Sequence, residues 1–499
     1  MFLISGEHLV ALDAKSGQPI REWGDAGRVS LKQGVPRLDE YRWNGAPVVC
    51  RDTVIVGSAV SDNPTNKEMP PGYVRGFDVV TGRLKWVFNP IPQPGEFGHE
   101  TWGNGSWAYS GNANVWSIVS ADEEIGYAYL PMSTPTNDWY GGHRPGDNLF
   151  AESLVCLECD TGRRVWYFQM VHHGLWDYDN PAPPNLVDIT VNGKPIKAVA
   201  QVTKQAFTYV FDRLTGQPVW SIEERPVPPS DVPGERTSRT QPFPTKPAPF
   251  DRQGLTIDDL IDLTPELRKE AIAIASKYKY GPLFTPPSVN DGKAGGTLGT
   301  IQLPGWVGGA DWNGAAFDPE THILYVPSIT APVVVSLTTP DPKASNFEYV
   351  RGQPRTVEGP QGLPLVKPPW GRISAINLDT GDHVWMTPNG PGPRDHPALK
   401  GLNLPWLGRP GRPAPLLTQT LLFIGEGSPS MIAMPAHGGG KMFRALDKMT
   451  GEVLWETELP AGTSGAPMTY MAGGQQYIVV ATSDNDTQAE LVAFSLPQP

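Results

Sequence analysis

A short pattern of apolar and polar residues recurs along the chain. It consists of an apolar strand, an acidic or amide residue, Thr/Ser-Gly, and then a Trp, most often four residues after the Gly. Six copies read VALDAKSGQPIREW, RGFDVVTGRLKW, VCLECDTGRRVW, YVFDRLTGQPVW, SAINLDTGDHVW and RALDKMTGEVLW, and a seventh, AAFDPETHILYV, keeps Asp318 but lacks the Gly. The pattern predicts a strand, a tight turn whose Gly takes a positive φ, and a returning strand whose Trp packs between neighbouring sheets.

The spacing of the copies predicts the architecture. The motif glycines are Gly17, Gly82, Gly162, Gly216, Gly381 and Gly451. This spacing is typical of one four-stranded unit per about 40–80 residues, with further units inside the longest gap. We therefore predict an all-β fold, a β-propeller, that forms a single domain over residues 1–499.

One segment, about residues 222–280, interrupts the repeat. It begins with a Pro-rich stretch and continues into LTPELRKEAIAIASKY, in which Thr264 is a candidate N-cap and Pro265 stands at the first helical position. The segment therefore predicts a short helical insertion. Such an insertion can cover a pocket on the propeller face or simply decorate the surface, and loop statistics leave both open.

Composition and charge exclude several classes of protein. The 499 residues include 54 Gly and 54 Pro, too many turn formers for a helix bundle, and 16 Trp, 15 Tyr and 16 Phe that supply a large core. The net charge of −12 repels nucleic-acid phosphates, so no nucleic-acid partner is expected. Three cysteines cannot form a disulfide framework for so long a chain, and the spacing of Cys156 and Cys159 predicts neither zinc binding nor redox chemistry.

The densest group of reactive side chains lies in VHHGLWDYDNPAPPNL. Asp177 and Asp179 stand beside aromatic residues, and Lys204 follows in the next unit. A carboxylate near aromatic rings with a cation available is a reasonable general base, although turn chemistry alone would equally explain both aspartates as caps. His172 and His173 are expected to be hydrogen-bonded packing residues rather than metal ligands.

These segments together resemble the quinoprotein dehydrogenases, eight-bladed β-propellers that use pyrroloquinoline quinone (PQQ) with a divalent or lanthanide cation. The resemblance is closest to the membrane-bound glucose dehydrogenase branch. It covers nearly the whole chain through the docking repeats and through VHHGLWDYDNPAPPNLVDITVNGKPI, YGPLFTPP, GWVGGADWNGAAFDP and LPAGTSGAPMTYMAGGQQYIVV. It implies eight blades, of which the N-terminal one is incomplete, because Met1 opens within a strand of an early motif.

The resemblance also assigns roles to individual residues. It implies that Asp177 is the general base and that Lys204 hydrogen-bonds the quinone oxygens. Trp116, which would otherwise be interpreted as one more blade-packing Trp, becomes the floor on which the quinone stacks. Asp62, Asn63 and Asp311 fall at positions that contact the cofactor in relatives. The implied cation is Ca²⁺, Mg²⁺ or a lanthanide, with oxygen ligands from Asp62, Thr134, Asp177 and Asp179.

The implied function is PQQ-dependent oxidation of a sugar, polyol or other alcohol. No CxxCH sequence occurs, so electrons are expected to pass to a separate ubiquinone or cytochrome acceptor. The resemblance implies a periplasmic and membrane-associated protein, and the export signal or anchor of the relatives is not present in this sequence. The alternative is a non-catalytic propeller scaffold that binds proteins through its loops. It predicts no carboxylate–lysine pair facing a Trp floor.

Overall fold

Antiparallel sheets follow one another along the chain in the computed structural model, which describes residues 1–293, 296–429 and 438–496. Sheet 1 contains β1 (Phe2–Ser5), β2 (His8–Ala11) and β3 (Arg28–Ser30). Sheet 2 contains β5 (Val48–Cys50), β6 (Thr53–Val56), β8 (Val74–Asp78) and β9 (Leu84–Phe88). Two further strands, β4 (Tyr41–Arg42) before β5 and β7 (Ala59–Val60) after β6, pair with each other in a separate two-stranded sheet. Sheet 3 contains β10 (Ser120–Asp122), β11 (Tyr127–Pro131), β12 (Ser153–Glu158) and β13 (Arg164–Gln169).

The remaining sheets continue this arrangement. Sheet 4 contains β14 (Asn185–Val191), β15 (Lys194–Val202) and β16 (Thr208–Asp212), and it is followed by the hairpin of β17 (Ile222–Pro226) and β18 (Thr240–Pro244), by α1 (Pro265–Ala275), and by β19 (Ser288–Val289) and β20 (Thr300–Gln302). Sheet 5 contains β21 (Ala316–Asp318), β22 (Ile323–Ile329), β25 (Gly371–Asn377) and β26 (Asp382–Pro388). Between β22 and β25 the chain forms β23 (Val333–Thr338) and β24 (Val350–Arg351), which join β19 and β20 in a separate sheet. Sheet 6 contains β27 (Leu416–Leu417), β28 (Leu421–Gly425), β29 (Met442–Asp447) and β30 (Val453–Glu458), and sheet 7 contains β31 (Met468–Ala472), β32 (Gln475–Thr482) and β33 (Glu490–Ser495).

Sheets 2 to 6 are arranged around a common axis. The first strand of each contacts the first strand of the next: β5 contacts β10, β10 contacts β14, β14 contacts β21, and β21 contacts β27. A separate apolar cluster fills each gap between consecutive sheets, as with Ile55 and Leu130 between sheets 2 and 3. This is the packing of propeller blades. The described residues form seven such sheets, so the expected eighth blade stays a prediction.

The repeated motif folds as its pattern predicts and joins neighbouring sheets, as sheets 2 and 3 show. In sheet 2 the Asp78 carboxylate accepts the Thr81 backbone N–H at 2.7 Å, and Gly82 takes a φ of 74°. The Trp86 indole lies over Gly162 of the next copy and donates to the Cys159 carbonyl at 2.9 Å.

The same contact recurs at other junctions between sheets. The Trp166 and Trp385 rings cover Gly216 and Gly451 in the same way. In the degenerate copy His322 stands where the others have Gly and still takes a φ of 56°. At these junctions the Trp of one blade therefore packs directly on the turn of the next blade.

The structure contains a helix, α1, within the segment predicted to be an insertion. The Thr264 hydroxyl accepts the Leu267 N–H at 3.2 Å, and Pro265 opens α1. The helix buries Leu267, Ala271 and Ala275 in an apolar cluster of its own, which also contains residues before β21 and before β25. Because one face of α1 packs in this way, the insertion is an ordered layer on the propeller.

No helix among the described residues is long and apolar enough to cross a membrane.

A disulfide joins Cys50, at the end of β5, to Cys159, just after β12. The bond connects sheets 2 and 3 across 109 residues of sequence, while Cys156 stays a free, buried thiol. Cys156 and Cys159 do not pair with each other. The bond of Cys159 to Cys50 was not predicted, because packing between sheets brings together two residues that are far apart in sequence.

Candidate functional site

Segments that lead into the first strands of the sheets meet at one end of the axis. Asn44, Trp116 and Arg412 are each the fourth residue before the strands β5, β10 and β27, and Asp179 and Asp311 occupy similar positions before β14 and β21. Because these strands surround the axis, side chains at this position converge. They enclose a cavity of about 440 Å³, which we call the axial cavity. Its charged and aromatic lining residues are Arg42, Asp62, Trp116, Asp177, Asp179, Lys204, Trp306, Asp311 and Arg412.

The structure brings together nearly all of the residues that the sequence analysis selected. Asp62, Asn63, Trp116, Asp177, Asp179, Lys204 and Asp311 all line the axial cavity. Thr134 does not line it. Its hydroxyl donates to the Asp138 carboxylate at 2.7 Å, and both side chains are buried behind the cavity wall. Thr134 therefore reaches the cluster only through Asp138.

Asp177 and Lys204 form a buried ion pair. Lys204 lies in the turn between β15 and β16, and its Nζ donates to Asp177 Oδ1 at 2.9 Å and to the Asp177 carbonyl at 3.0 Å. The same ammonium contacts Asp179 Oδ1. Asp177 takes a φ of 54°, a conformation that turns its backbone carbonyl and its carboxylate toward the same cation. Two carboxylates thus share one ammonium.

Trp116 differs from the tryptophans that pack between blades. Its indole N–H donates to Asp179 Oδ2, and the residue is only half-buried where it lines the axial cavity. By contrast, Trp86 and Trp166 are buried between sheets. Trp116 therefore offers a flat aromatic surface directly beside the Asp177–Lys204 pair, which disfavours its interpretation as a blade-packing residue.

Negative charge exceeds positive charge around Lys204. Burial raises the pKa of Asp177, and although Lys204 opposes this, the neighbouring Asp179, Asp138 and Asp62 carboxylates add to it. Burial and Asp179 raise the pKa of Asp62 to about 6. Burial alone would lower the pKa of Lys204, but Asp177 and Asp179 outweigh it and raise that pKa. Four carboxylates against Lys204 and the nearby Arg42 and Arg351 leave an excess of negative charge, which attracts a cation to this end of the cavity.

Several residues of the site escaped the sequence analysis. Asp138 extends the carboxylate cluster, and Arg412 pairs with Asp311 at 2.6 Å. Arg42 and Asn44 line the wall next to Asp62. A usable signal was the constant distance from the first strand of each sheet, which Asn44 and Arg412 share with Trp116.

The histidines behave as predicted and stay outside the axial cavity. His173 contacts Glu235 Oε1 at 2.7 Å through Nε2 and the Gly146 carbonyl through Nδ1, and His172 contacts Glu224 at 3.1 Å. Among the described residues no group of three His, Cys, Asp or Glu side chains is arranged to hold a metal ion. Lys204 lies between Asp177 and Asp179, so the predicted ligand set stays a prediction.

Comparisons with known proteins identify the family of this site. The chain matches the protein family "PQQ: Glucose/ethanol/alcohol dehydrogenase, beta-propeller domain" over residues 1–478. It is 31% identical to quinoprotein glucose dehydrogenase A of Acinetobacter calcoaceticus, over 99% of this chain and 62% of that one. It is 30% identical to quinate/shikimate dehydrogenase (quinone) of Acinetobacter baylyi, over 95% of this chain and 59% of that one.

A solved structure agrees with the fold. The quinohemoprotein alcohol dehydrogenase of Comamonas testosteroni superposes with a TM-score of 0.65 at 21% identity, covering 99% of this chain and 65% of that one. The chain thus spans about three fifths of the length of the two relatives above. The family match and the blade-like packing of the sheets lead to one conclusion: the chain belongs to the β-propeller family of PQQ-dependent glucose, ethanol and alcohol dehydrogenases.

Proposed function

We propose that this chain carries out the PQQ-dependent oxidation of a sugar, polyol or other alcohol. The observation that carries the proposal is the buried Asp177–Lys204 pair, with its Nζ–Oδ1 distance of 2.9 Å, beside the half-buried face of Trp116 in one cavity. A base, a cation and a flat aromatic surface are the parts that oxidation of an alcohol on a planar quinone needs.

The axial cavity fits PQQ in size and in chemistry. Its volume of about 440 Å³ lies in the range of small-ligand sites, and Trp116 supplies a surface for a planar ring system. PQQ carries three carboxylates and two quinone oxygens. Arg42, Asn44, Lys204 and Arg412 offer donors for such groups, and Asn63 and Asp311 complete the proposed cofactor contacts. Bound PQQ supplies the quinone that accepts two electrons from the alcohol.

The protein groups then have separable roles. Asp177 accepts the hydroxyl proton of the substrate, and its raised pKa makes it a stronger base than an ordinary aspartate. Lys204, held between Asp177 and Asp179, supplies a positive charge where negative charge develops on oxygen. The ion pair between Arg412 and Asp311 holds a further part of the cavity wall near Lys204.

The same end of the cavity suits a hard cation. Asp62, Asp177 and Asp179 offer carboxylate oxygens, the ligand type that Ca²⁺, Mg²⁺ and lanthanides prefer, and Thr134, which lies behind the cavity wall, acts on the proposed cation only through Asp138. The excess of carboxylates over ammonium groups, with the pKa of Asp62 raised to about 6, supports this assignment. Asp138, which accepts the hydrogen bond of Thr134, adds a further carboxylate charge behind this proposed site.

We further propose that the chain works in the periplasm, associated with the membrane, and transfers electrons to ubiquinone or a cytochrome. The disulfide between Cys50 and Cys159 supports an oxidising compartment. The scaffold alternative is less well supported, because it predicts no carboxylate–lysine pair beside a Trp surface, whereas Asp177, Lys204 and Trp116 line one cavity.

Exchange of Asp177 for Asn tests the proposal. Protein loaded with PQQ and Ca²⁺ is assayed for dye reduction with glucose, glycerol and quinate. We expect turnover by the wild type and a loss of roughly 100-fold or more in Asp177→Asn, because a general base typically contributes 10²–10⁴-fold. Bound PQQ, measured by its absorbance after desalting, should be retained. Asp395→Asn, at an exposed turn, is the matched control. Equal rates in Asp177→Asn and wild type would remove Asp177 from this role.

A further inference from the structure

A second cavity adjoins the axial cavity. Its volume is about 250 Å³, and it shares Asp62 and Asn63 with the axial cavity. We call it the side cavity. Its other lining residues include the apolar Pro64, Trp139, Pro340 and Val350 and the cations Arg351 and Arg355. A molecule in the side cavity therefore lies next to the proposed cation site and has two guanidinium groups around it.

Arg351 is held in place without a charged partner. Its guanidinium carbon lies 4.3 Å from the Trp139 ring centroid and 4.7 Å from that of Trp306, so that its π faces are covered by indole. Its Nε and one Nη make no hydrogen bond to any described residue. Burial and the nearby Arg355 lower the pKa of Arg351 to about 10.

Arg355 lies at the rim of the side cavity and, like Arg351, has no carboxylate partner among the described residues. Within the described ranges neither Arg355 nor Arg351 has a carboxylate within 4 Å. By contrast, Arg412 is paired with Asp311 and Arg372 with Asp251. Arg355 is exposed, whereas Nε and one Nη of Arg351 are buried, and a buried guanidinium without a hydrogen-bond partner is costly unless an anion joins it.

The nearest acids do not serve as that anion. Asp177 is bonded to Lys204, and Asp138 accepts the hydrogen bond of Thr134. Asp62 belongs to the proposed cation site, where a bound cation would take up its charge. The positive charge of Arg351 and Arg355 is thus left facing the side cavity.

We propose that the side cavity binds the carboxylate of a polyhydroxy-acid substrate, with Arg351 as its bidentate partner and Arg355 as a second cation. This inference rests on the proposed oxidation of an alcohol and narrows its substrate class. The carboxylate binds Arg351 and stays chemically unchanged, while a hydroxyl on the same molecule reaches toward Asp177. The C–H hydrogen of that hydroxyl carbon leaves with its bonding electron pair to the quinone, the hydroxyl proton passes to Asp177, and the carbon becomes a carbonyl. The apolar walls pack against the carbon skeleton.

The test compares acids with neutral polyols of similar shape. Protein loaded with PQQ and Ca²⁺ is assayed with quinate against myo-inositol, gluconate against sorbitol, and glycerate against glycerol. We expect kcat/KM to be at least tenfold higher for the acid in at least one pair. In Arg351→Gln the value for that acid should fall by roughly 10–100-fold, mainly through KM, because a hydrogen bond to a charged group is worth about 1.5–3 kcal/mol. Values for the neutral polyols should change less than threefold.

Further variants separate charge from geometry. Arg351→Lys should recover only part of the loss, since an ammonium cannot form the bidentate pair. Arg21→Gln, an exposed arginine distant in sequence from both cavities, should behave as wild type. Binding is measured independently by calorimetric titration of the same acids into PQQ-loaded Asp177→Asn, with and without Arg351→Gln.

The outcomes distinguish this inference from the function on which it rests. Turnover of neutral polyols that equals or exceeds that of the acids in every pair would overturn the substrate class and leave the oxidation of alcohols standing. Absence of all turnover would contradict the proposed function, and acid binding that depends on Arg351 would still support the side cavity. Acid binding unaffected by Arg351→Gln, or loss of PQQ in that variant, would overturn the inference, because Arg351 would then serve another ligand.

Discussion

Replacing Gly162 by Ala tests whether tryptophan docking holds the blades together. Gly162 has a φ of 68°, and a Cβ atom added to it would lie 2.5 Å from Cδ2 of Trp86. The left-handed conformation costs a non-glycine residue about 1–2 kcal/mol, and overpacking a filled site costs about 1–3 kcal/mol more. We therefore expect the free energy of unfolding to fall by about 2–5 kcal/mol.

Gly17 provides a matched control within the same motif. It also has a φ of 68°, but no atom lies within 4 Å of an added Cβ. Gly17→Ala should therefore show the backbone cost alone, and the difference between the two variants measures the clash with Trp86. Urea unfolding, followed by tryptophan fluorescence and circular dichroism, gives both values. Equal losses in the two variants would refute the idea that Trp86 fills a tightly packed contact on the turn of the next blade.

Three further predictions concern charge and covalent structure. Lys204→Met leaves the Asp177 carboxylate buried without its cation, so kcat/KM should fall about 100-fold or more in the dye assay; a change below threefold would contradict the assigned role. Cys50→Ser removes the bond to Cys159 and should lower the free energy of unfolding by about 2–5 kcal/mol, an effect that reductant reproduces in the wild type. Burial raises the pKa of Glu152 from 4.5 to about 8, so its contribution to stability is complete below pH 4.5 and is lost as pH rises through 8. Between pH 6 and 9 the wild type should lose roughly 3 kcal/mol more than Glu152→Gln, and parallel pH profiles would show that this carboxyl does not titrate as described.

The docking turns were predictable because each depends on residues close together in sequence. Asp78, Thr81 and Gly82 determine one turn among themselves, and the helix cap at Thr264 is equally local. The degenerate copy could be recognised from Asp318, and its His322 adopts the backbone conformation that Gly takes in the other copies.

The site was predictable only in part. The pairing of Asp177 with Lys204 followed from a family resemblance, because nothing within either segment indicates that the two side chains meet. Asp138, Arg412 and the partner of Cys159 were missed for the same reason. Their roles depend on how sheets far apart in sequence pack around the axis, and a local pattern carries no information about that packing.

Stoichiometric binding of PQQ tests the central claim most directly. Calorimetric titration of PQQ into the protein with Ca²⁺ should show one site per chain, and Trp116→Ala should weaken it by roughly tenfold or more, because stacking on an aromatic face contributes about 1–3 kcal/mol. A crystal of the complex should place the ring system over Trp116 beside Lys204. No binding, or binding that Trp116→Ala and Lys204→Met leave unchanged, would show that the axial cavity is not the cofactor site.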